Sequence, residues 1–199
     1  MLRRALDLSV AVLLLIVTLP IMIIAGLLIR LTGRGPVIFR HERVGRGGEV
    51  FEVMKFRTMR RGTHEEIHAE PDHHAKYVQN DFKLDRTSDR ITRVGRVLRA
   101  TSLDELPQLF NVLRGDMSLV GIRPLVPLEL TMRPMSDQLR YCLLRPGITG
   151  LWQVSGRSTV AGEERYALDR EYLATWRPRR DIVILLRTPV ALLRVHHSG

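Results

Sequence analysis

Cysteine is almost absent from this chain. Cys142 stands alone among 199 residues, which excludes an intrachain disulfide and a cysteine-rich zinc site and suits a reducing cytoplasm. Flanked by Tyr141 and Leu143, it reads as a small buried residue rather than a nucleophile. Lysine is scarce as well: of 31 basic residues only Lys55, Lys76 and Lys83 are lysines, and the others are arginines. The arginine fork suits phosphate, although a source genome rich in arginine codons would give the same bias. Aromatic residues make up 6%, too few to interleave with cations as a nucleic-acid surface requires. No G-x-G-x-x-G fingerprint, Walker sequence or D-x-D pair occurs, so the usual nucleotide-binding frameworks are missing. Acidic residues are the minority, and the net charge of +10 calls for an anionic partner without naming one.

What the chain does have is a long apolar run, Leu8 to Ile29, of 22 residues. As a straight helix it reaches about 33 Å, against a hydrocarbon core of about 30 Å. It is too long for a signal peptide, and no small-residue cleavage site follows it. Pro20 sits near its middle, where it removes a backbone donor and bends the helix. Arg3 and Arg4 precede the run, and Arg30, Arg34, Arg40 and Arg43 follow it. The positive-inside tendency holds both ends in the cytoplasm, which a helix bent at Pro20 satisfies and a spanning helix does not. A plain single span with a tolerated proline stands equal on these residues. Asp7, at the edge of the run, has Arg3 or Arg4 or the lipid interface as its candidate partners.

After Gly33 and Gly35-Pro36 the pattern predicts a strand over Val37–Val44, a turn at Gly45–Gly48 and a returning strand over Glu49–Arg57. Lys55 and Arg57 alternate, so both project to one face of that hairpin; this is either a solvated basic strand edge or, with Thr58, Arg60 and Arg61 beside it, an anion site. Residues 61–89 are polar and weakly periodic, a loop with short helical pieces. Within it, His64-Glu65-Glu66-Ile67-His68 matches H-E-x-x-H, but it lacks the apolar surroundings of a rigid zinc helix and reads better as a polar surface helix. Ile91 to Leu98 predicts a basic amphipathic helix with Ile91, Val94, Val97 and Leu98 on its apolar stripe, facing lipid or core; Gly95 in it allows another element to approach closely.

The chemistry concentrates at Asp104-Glu105, two carboxylates in a strongly basic chain. Ser102-x-x-Glu105 has capping-box spacing, which gives Glu105 a purely structural role at a helix start. Pro107 argues for more, because it distorts the first turns and lets both acids face one cavity. One carboxylate then attacks a phosphorus atom or positions its attacker, the other holds a divalent cation, and arginines neutralise developing charge. Magnesium fits oxygen ligands shared with phosphates. Arg99, Lys55, Arg57 and Arg123 are the candidate cations. Two glycine- and proline-rich loops, Gly115–Pro124 with Arg123 and Arg145–Arg157 with Arg157, suit a nucleotide diphosphate.

Gly35-Pro36-Val37-Ile38-Phe39, Lys55-Phe56-Arg57-Thr58-Met59, Leu98-Arg99, Thr101 to Leu109, Gly115 to Pro124 and Pro146 to Arg157 together resemble the bacterial sugar transferases, and Asp169, Tyr172, Trp176 and Asp181 to Leu193 also fit. The resemblance covers nearly the whole chain, in order, and is to the small monotopic polyprenyl-phosphate phosphoglycosyl transferases. It implies transfer of a sugar 1-phosphate from a UDP-sugar to undecaprenyl phosphate with release of UMP, the first membrane step of glycan or exopolysaccharide assembly. It implies Asp104 as the nucleophile of a covalent phosphosugar intermediate and Glu105 as the ligand of Mg2+. Lys55, Arg57, Arg99, Arg123 and Arg157 become substrate-binding residues, and Pro20 the bend of a re-entrant helix on the cytoplasmic face of the inner membrane. The implied organisation is a membrane helix over 1–34 and a catalytic domain over 35–199. The fold is then mixed α/β: that re-entrant helix, one β-hairpin, several amphipathic helices and irregular loops around the active site. No nucleic-acid partner is implied, and a homodimer is compatible. Two departures stand out. The proline usual before the family's second arginine motif is Ile122 here, and the serine usual before the bending proline is Leu19, leaving the Thr18 hydroxyl to rescue a freed carbonyl. The rival from another class is a non-enzymatic basic module for anionic lipid or nucleic acid, to which Asp104 would be irrelevant.

Overall fold

The computed structural model describes residues 2–80, 82, 88–156, 160 and 162–194. The architecture is mixed α/β and mostly helical, with one β-hairpin and one long apolar N-terminal helix.

That helix, α1 (Leu2–Leu31), is long and apolar enough to cross a membrane. Its inward positions recur at helical spacing: Asp7, Ala11, Met22, Ala25 and Ile29 are buried against the domain. The other faces leave Leu13, Ile16, Val17 and Leu27 about 60% exposed. Helical assignment continues through Pro20, so the expected bend does not break the element. Pro20 frees the carbonyl four residues back, at Ile16, yet the Thr18 hydroxyl bonds Leu14 O at 2.7 Å, so it does not supply the expected rescue. Both ends of α1 are fastened to the domain, the C-terminal one by Arg57, which donates to Ile29 O and Gly33 O. Arg3 donates to Val120 O (2.8 Å) and pairs with Asp181 (3.2 Å), while Arg4 donates to Val112 O and Leu113 O. Asp7 takes neither arginine as partner. It accepts from Ser118 Oγ (2.8 Å) and Leu119 N (3.0 Å), because a buried carboxylate needs donors that burial does not remove.

The predicted hairpin is present as β1 (Ile38–Val44) and β2 (Val50–Phe56), antiparallel in the register Phe39↔Lys55, His41↔Val53, Arg43↔Phe51. Two short helices follow, α2 (Thr63–Ala69) and α3 (Pro71–Gln79). Next comes α4 (Arg93–Thr101), two residues later than the pattern predicts because Thr92 caps it, its hydroxyl accepting from Gly95 N. Leu98 is buried, but Val97 is 61% exposed and leaves the apolar stripe. Gly95 lies against the Thr58 carbonyl, and a Cβ there would sit 2.0 Å from that oxygen. Gly95→Ala must therefore push α4 off the strand end. A fall in melting temperature by several degrees is expected, since overpacking against backbone costs about 1–3 kcal/mol; an unchanged melt would show that α4 moves freely.

Helix α5 (Gln108–Arg114) packs on the hairpin through Asn111, fully buried, which accepts from Met54 N (2.9 Å) and donates to Glu52 O (2.8 Å) and Asp116 Oδ2 (3.1 Å). The two glycine-rich loops are not irregular: they pair as parallel strands β3 (Ser118–Val120) and β4 (Gly147–Thr149). Only glycine fits where they cross, since a Cβ on Gly147 would lie 2.0 Å from Gly121 N. Ile122 is buried and its carbonyl accepts from Gly147 N at 2.8 Å, which holds the Arg123 turn without the proline. The chain closes with α6 (Pro127–Thr131), α7 (Met135–Cys142), α8 (Leu151–Ser155), α9 (Gly162–Ala174) and α10 (Pro178–Arg194). The last of these buries Asp181 and Ile184 and exposes Ile182, Val183, Leu186 and Val190, so it packs on the domain and presents a second apolar face.

Candidate active site

Between α4 and α5 the backbone turns sharply. Ser102 ends α4 in the left-handed region (φ 59°), and Leu103–Glu105 make one 3-10 turn before Pro107 starts α5. The capping box does not form: the Ser102 side chain makes no cap bond, and its carbonyl accepts from Glu105 N. The reason is that no α-helix begins there.

This turn sends the two carboxylates in different directions. Asp104, 9% exposed, lines a cavity of about 370 Å3 together with Lys55, Arg57, Arg99 and Arg123. Glu105 lines instead an apolar groove beside Leu106, Leu109 and Leu185, and reaches back to Lys55 Nζ at 2.6 Å. The single cavity read from Pro107 is thus two hollows that meet at Lys55, which lines the Asp104 cavity and holds the Glu105 carboxylate at its wall. Burial pushes the Asp104 carboxyl up to about 6; the charge of Glu105 adds to this, and Lys55, Arg99 and Arg123 oppose it. At neutral pH Asp104 is therefore ionised, poorly hydrated and surrounded by cations, the condition of an activated oxygen nucleophile.

The predicted cations do not play equal parts. Lys55, Arg99 and Arg123 converge on Asp104 from β2, α4 and the turn after β3. The Arg57 guanidinium caps the end of α1 instead, donating to Ile29 O (3.1 Å), Gly33 O (2.9 Å) and Arg34 O (3.2 Å) at the rim of the cavity. Arg157 lies outside the described residues.

A family model for bacterial sugar transferases matches residues 1–195. The chain belongs to the bacterial sugar transferase family. It is 45% identical over 197 residues to an undecaprenyl-phosphate galactose phosphotransferase of Salmonella typhimurium, covering 97% of this chain and 40% of the relative. It is 42% identical over 205 residues to a UDP-glucose:undecaprenyl-phosphate glucose-1-phosphate transferase of Caulobacter vibrioides, covering 98% and 71%. An exopolysaccharide production protein of Rhizobium meliloti is 38% identical over 197 residues, covering 94% and 84%. This sugar transferase family chain thus spans two-fifths of the Salmonella relative and most of the Rhizobium one.

Magnesium, implied by the resemblance, fits the donor set of this family member. This ion takes one or two carboxylate oxygens together with substrate oxygens and water, and Glu105, held against the cavity wall by Lys55, is the residue that would supply one. Among the described residues no group of three or more His, Cys, Asp or Glu side chains gathers as a protein-only cage. The H-E-x-x-H histidines do not make one either: His64 and His68 pack edge to face, 4.5 Å between ring centroids.

Sequence reasoning missed the rest of the cavity wall. His41 and Arg43 lie on the same hairpin face as Phe39 and Lys55, and period-2 alternation carried one strand further would have found them. Tyr77 and Phe82, from the polar stretch after the hairpin, also line it, and no local signal marks them.

Proposed function

We propose that this chain transfers a sugar 1-phosphate from a UDP-sugar to undecaprenyl phosphate and releases UMP, as the first membrane step of exopolysaccharide assembly. The observation that carries the reading is Asp104, a buried carboxylate raised to about 6 inside a cavity of cations. An Asp104 oxygen attacks the β-phosphorus of the donor, forming an aspartyl-phosphosugar. The bond from that phosphorus to the bridging oxygen breaks, and its electron pair leaves with UMP. A phosphate oxygen of the acceptor then attacks the same phosphorus and returns the carboxylate, giving the polyprenyl diphosphosugar. Arg99 and Arg123 hold the phosphate oxygens and balance their charge. Lys55 keeps Glu105 oriented, and Glu105 with donor phosphate oxygens is the place for Mg2+, which when bound supplies charge neutralisation at the phosphates.

The arrangement of α1 supports a monotopic placement, and the arginines at both of its ends favour the cytoplasmic face of the inner membrane. Its inward stripe packs on the domain from Asp7 to Ile29, about 33 Å of helix. A bilayer-spanning orientation would drag the polar domain surface beside it into lipid, whereas a helix lying within one leaflet leaves the domain in water.

The test is UMP release by the detergent-solubilised chain with undecaprenyl phosphate, Mg2+ and a panel of UDP-sugars. Release that needs one sugar, the lipid acceptor and Mg2+, and stops on chelation, is the expected result. Salt-sensitive vesicle binding with no release from any donor would favour the basic-module reading instead.

A further inference from the structure

Away from the acids the cavity has a second end, walled by aromatic and imidazole rings around one guanidinium, that of Arg43. Along the hairpin face the Phe39–Lys55 row lies beside Glu105, the His41–Val53 row is two residues on, and the Arg43–Phe51 row two beyond that. At about 3.4 Å per residue these rows stand about 7 and 14 Å from the acid end. From the opposite wall α2 brings His64 onto this surface, its ring centroid 4.6 Å from His41 and 5.8 Å from Phe39. Tyr77 closes the same side, close to the buried Arg43.

These rings stay uncharged. Burial, with Arg43 next in weight, lowers His41 to about 2, and burial lowers His64 as well. This row of neutral rings with a single guanidinium among them differs from the Asp104 end, where Lys55, Arg99 and Arg123 converge. Its flat, polarizable faces suit a planar heterocycle, and neutral imidazoles together with Arg43 offer donors and acceptors for its edge.

We propose that Phe39, His41 and His64 form the subsite for the pyrimidine base of the nucleotide donor, with its phosphates held toward Lys55, Arg99 and Arg123. This rests on the reading of the cavity as the site of a UDP-sugar, and it fixes the direction in which that donor lies. The β-phosphorus must meet Asp104, and the α-phosphate and ribose then span the rows between the acid end and His41. The base reaches the ring wall, while the sugar points away from it. The H-E-x-x-H segment thereby gains a role that is neither metal binding nor mere surface.

The experiment compares binding of UDP and of inorganic pyrophosphate to the full chain in detergent by titration calorimetry, alongside KM and kcat for the UDP-sugar it turns over. His64→Ala is expected to weaken UDP about ten-fold, the size of one lost base–ring stack. Pyrophosphate affinity stays unchanged, KM rises with kcat nearly constant, and His64→Phe keeps most of the UDP affinity. Phe39→Leu, made on the hairpin and leaving the α2 residues unchanged, should reproduce the selective loss. Equal loss of UDP and pyrophosphate, or no loss of either while the wild type is active, would overturn the subsite and leave the transferase reading intact. A wild type that binds pyrophosphate but not UDP, and releases UMP from no donor, would overturn both.

Discussion

Asp104→Asn is expected to abolish turnover, by at least about a thousand-fold, and at the same time to raise the melting temperature. The two effects share one cause. Burial holds the folded-state carboxyl near 6, above its ordinary 3.8, so ionisation of Asp104 opposes folding. A difference of about two units corresponds to about 3 kcal/mol at a pH above both values. The penalty is fully present above pH 6 and fades as pH falls toward 3.8, because the folded state takes up the proton first. Asparagine mimics the protonated form at every pH. The variant should therefore melt several degrees above the wild type at pH 8 and converge with it near pH 4. Wild-type activity should rise through about pH 6 as the nucleophile ionises. Thermal melts at the two pH values, run beside UMP release, check both halves. An active Asp104→Asn enzyme would remove the proposed nucleophile, and a lower melting temperature would mean that the surrounding cations outweigh burial.

The parts of this molecule legible in its sequence are those written in local pattern. The length of α1, the alternation of β1 and β2, and Asp104 flanked by Arg99 and Arg123 can all be read without a partner element. What could not be read depends on where distant segments meet. Asp7 looks like the partner of Arg3 or Arg4 until Ser118 and Leu119 arrive beside it. Ser102 and Glu105 have the spacing of a capping box, but the left-handed Ser102 directs the chain into a 3-10 turn in which no cap is needed. Arg57 shares a strand pattern with Lys55 and lines the cavity, yet its guanidinium is taken up by carbonyls at and after the end of α1. The β3–β4 ladder joins segments about thirty residues apart, and each alone reads as a glycine-rich loop.

Arg165→Met is expected to be the most destabilising single change outside the site, and it is one that no local pattern announces. Glu129 on α6 and Arg133 just after it stand four residues apart, and Arg165 and Asp169 stand four apart on α9; none of the four is more than 4% exposed. Arg165 Nη2 lies 2.9 Å from Glu129 Oε1, and Arg133 Nη2 lies 3.1 Å from Asp169 Oδ2 and 4.0 Å from Glu129 Oε1. Arg133 also covers the Tyr166 ring, and Arg165 faces Trp152. Two positive and two negative charges balance in an apolar setting. Burial nevertheless pushes Asp169 up to about 6 against the pull of both arginines. Among the described residues the Arg165 nitrogens align no hydrogen bond, so this guanidinium acts on Glu129 as a bare charge. Removing it leaves a buried negative charge uncompensated, at a cost of about 3–5 kcal/mol. The loss should be greater at pH 8 than at pH 5, because protonation of Asp169 relieves the imbalance at the lower value. Adding Glu129→Leu restores neutrality and should recover most of the stability, since a buried pair replaced by apolar groups is often neutral or better. Because α6 directly follows the Arg123 turn, the single variant should also raise the donor KM at temperatures where it is still folded, and the double variant should not. Melts of the three proteins with KM measured below the transition decide the matter: a single variant as stable as the wild type would show that the cluster is not held in a dry interior.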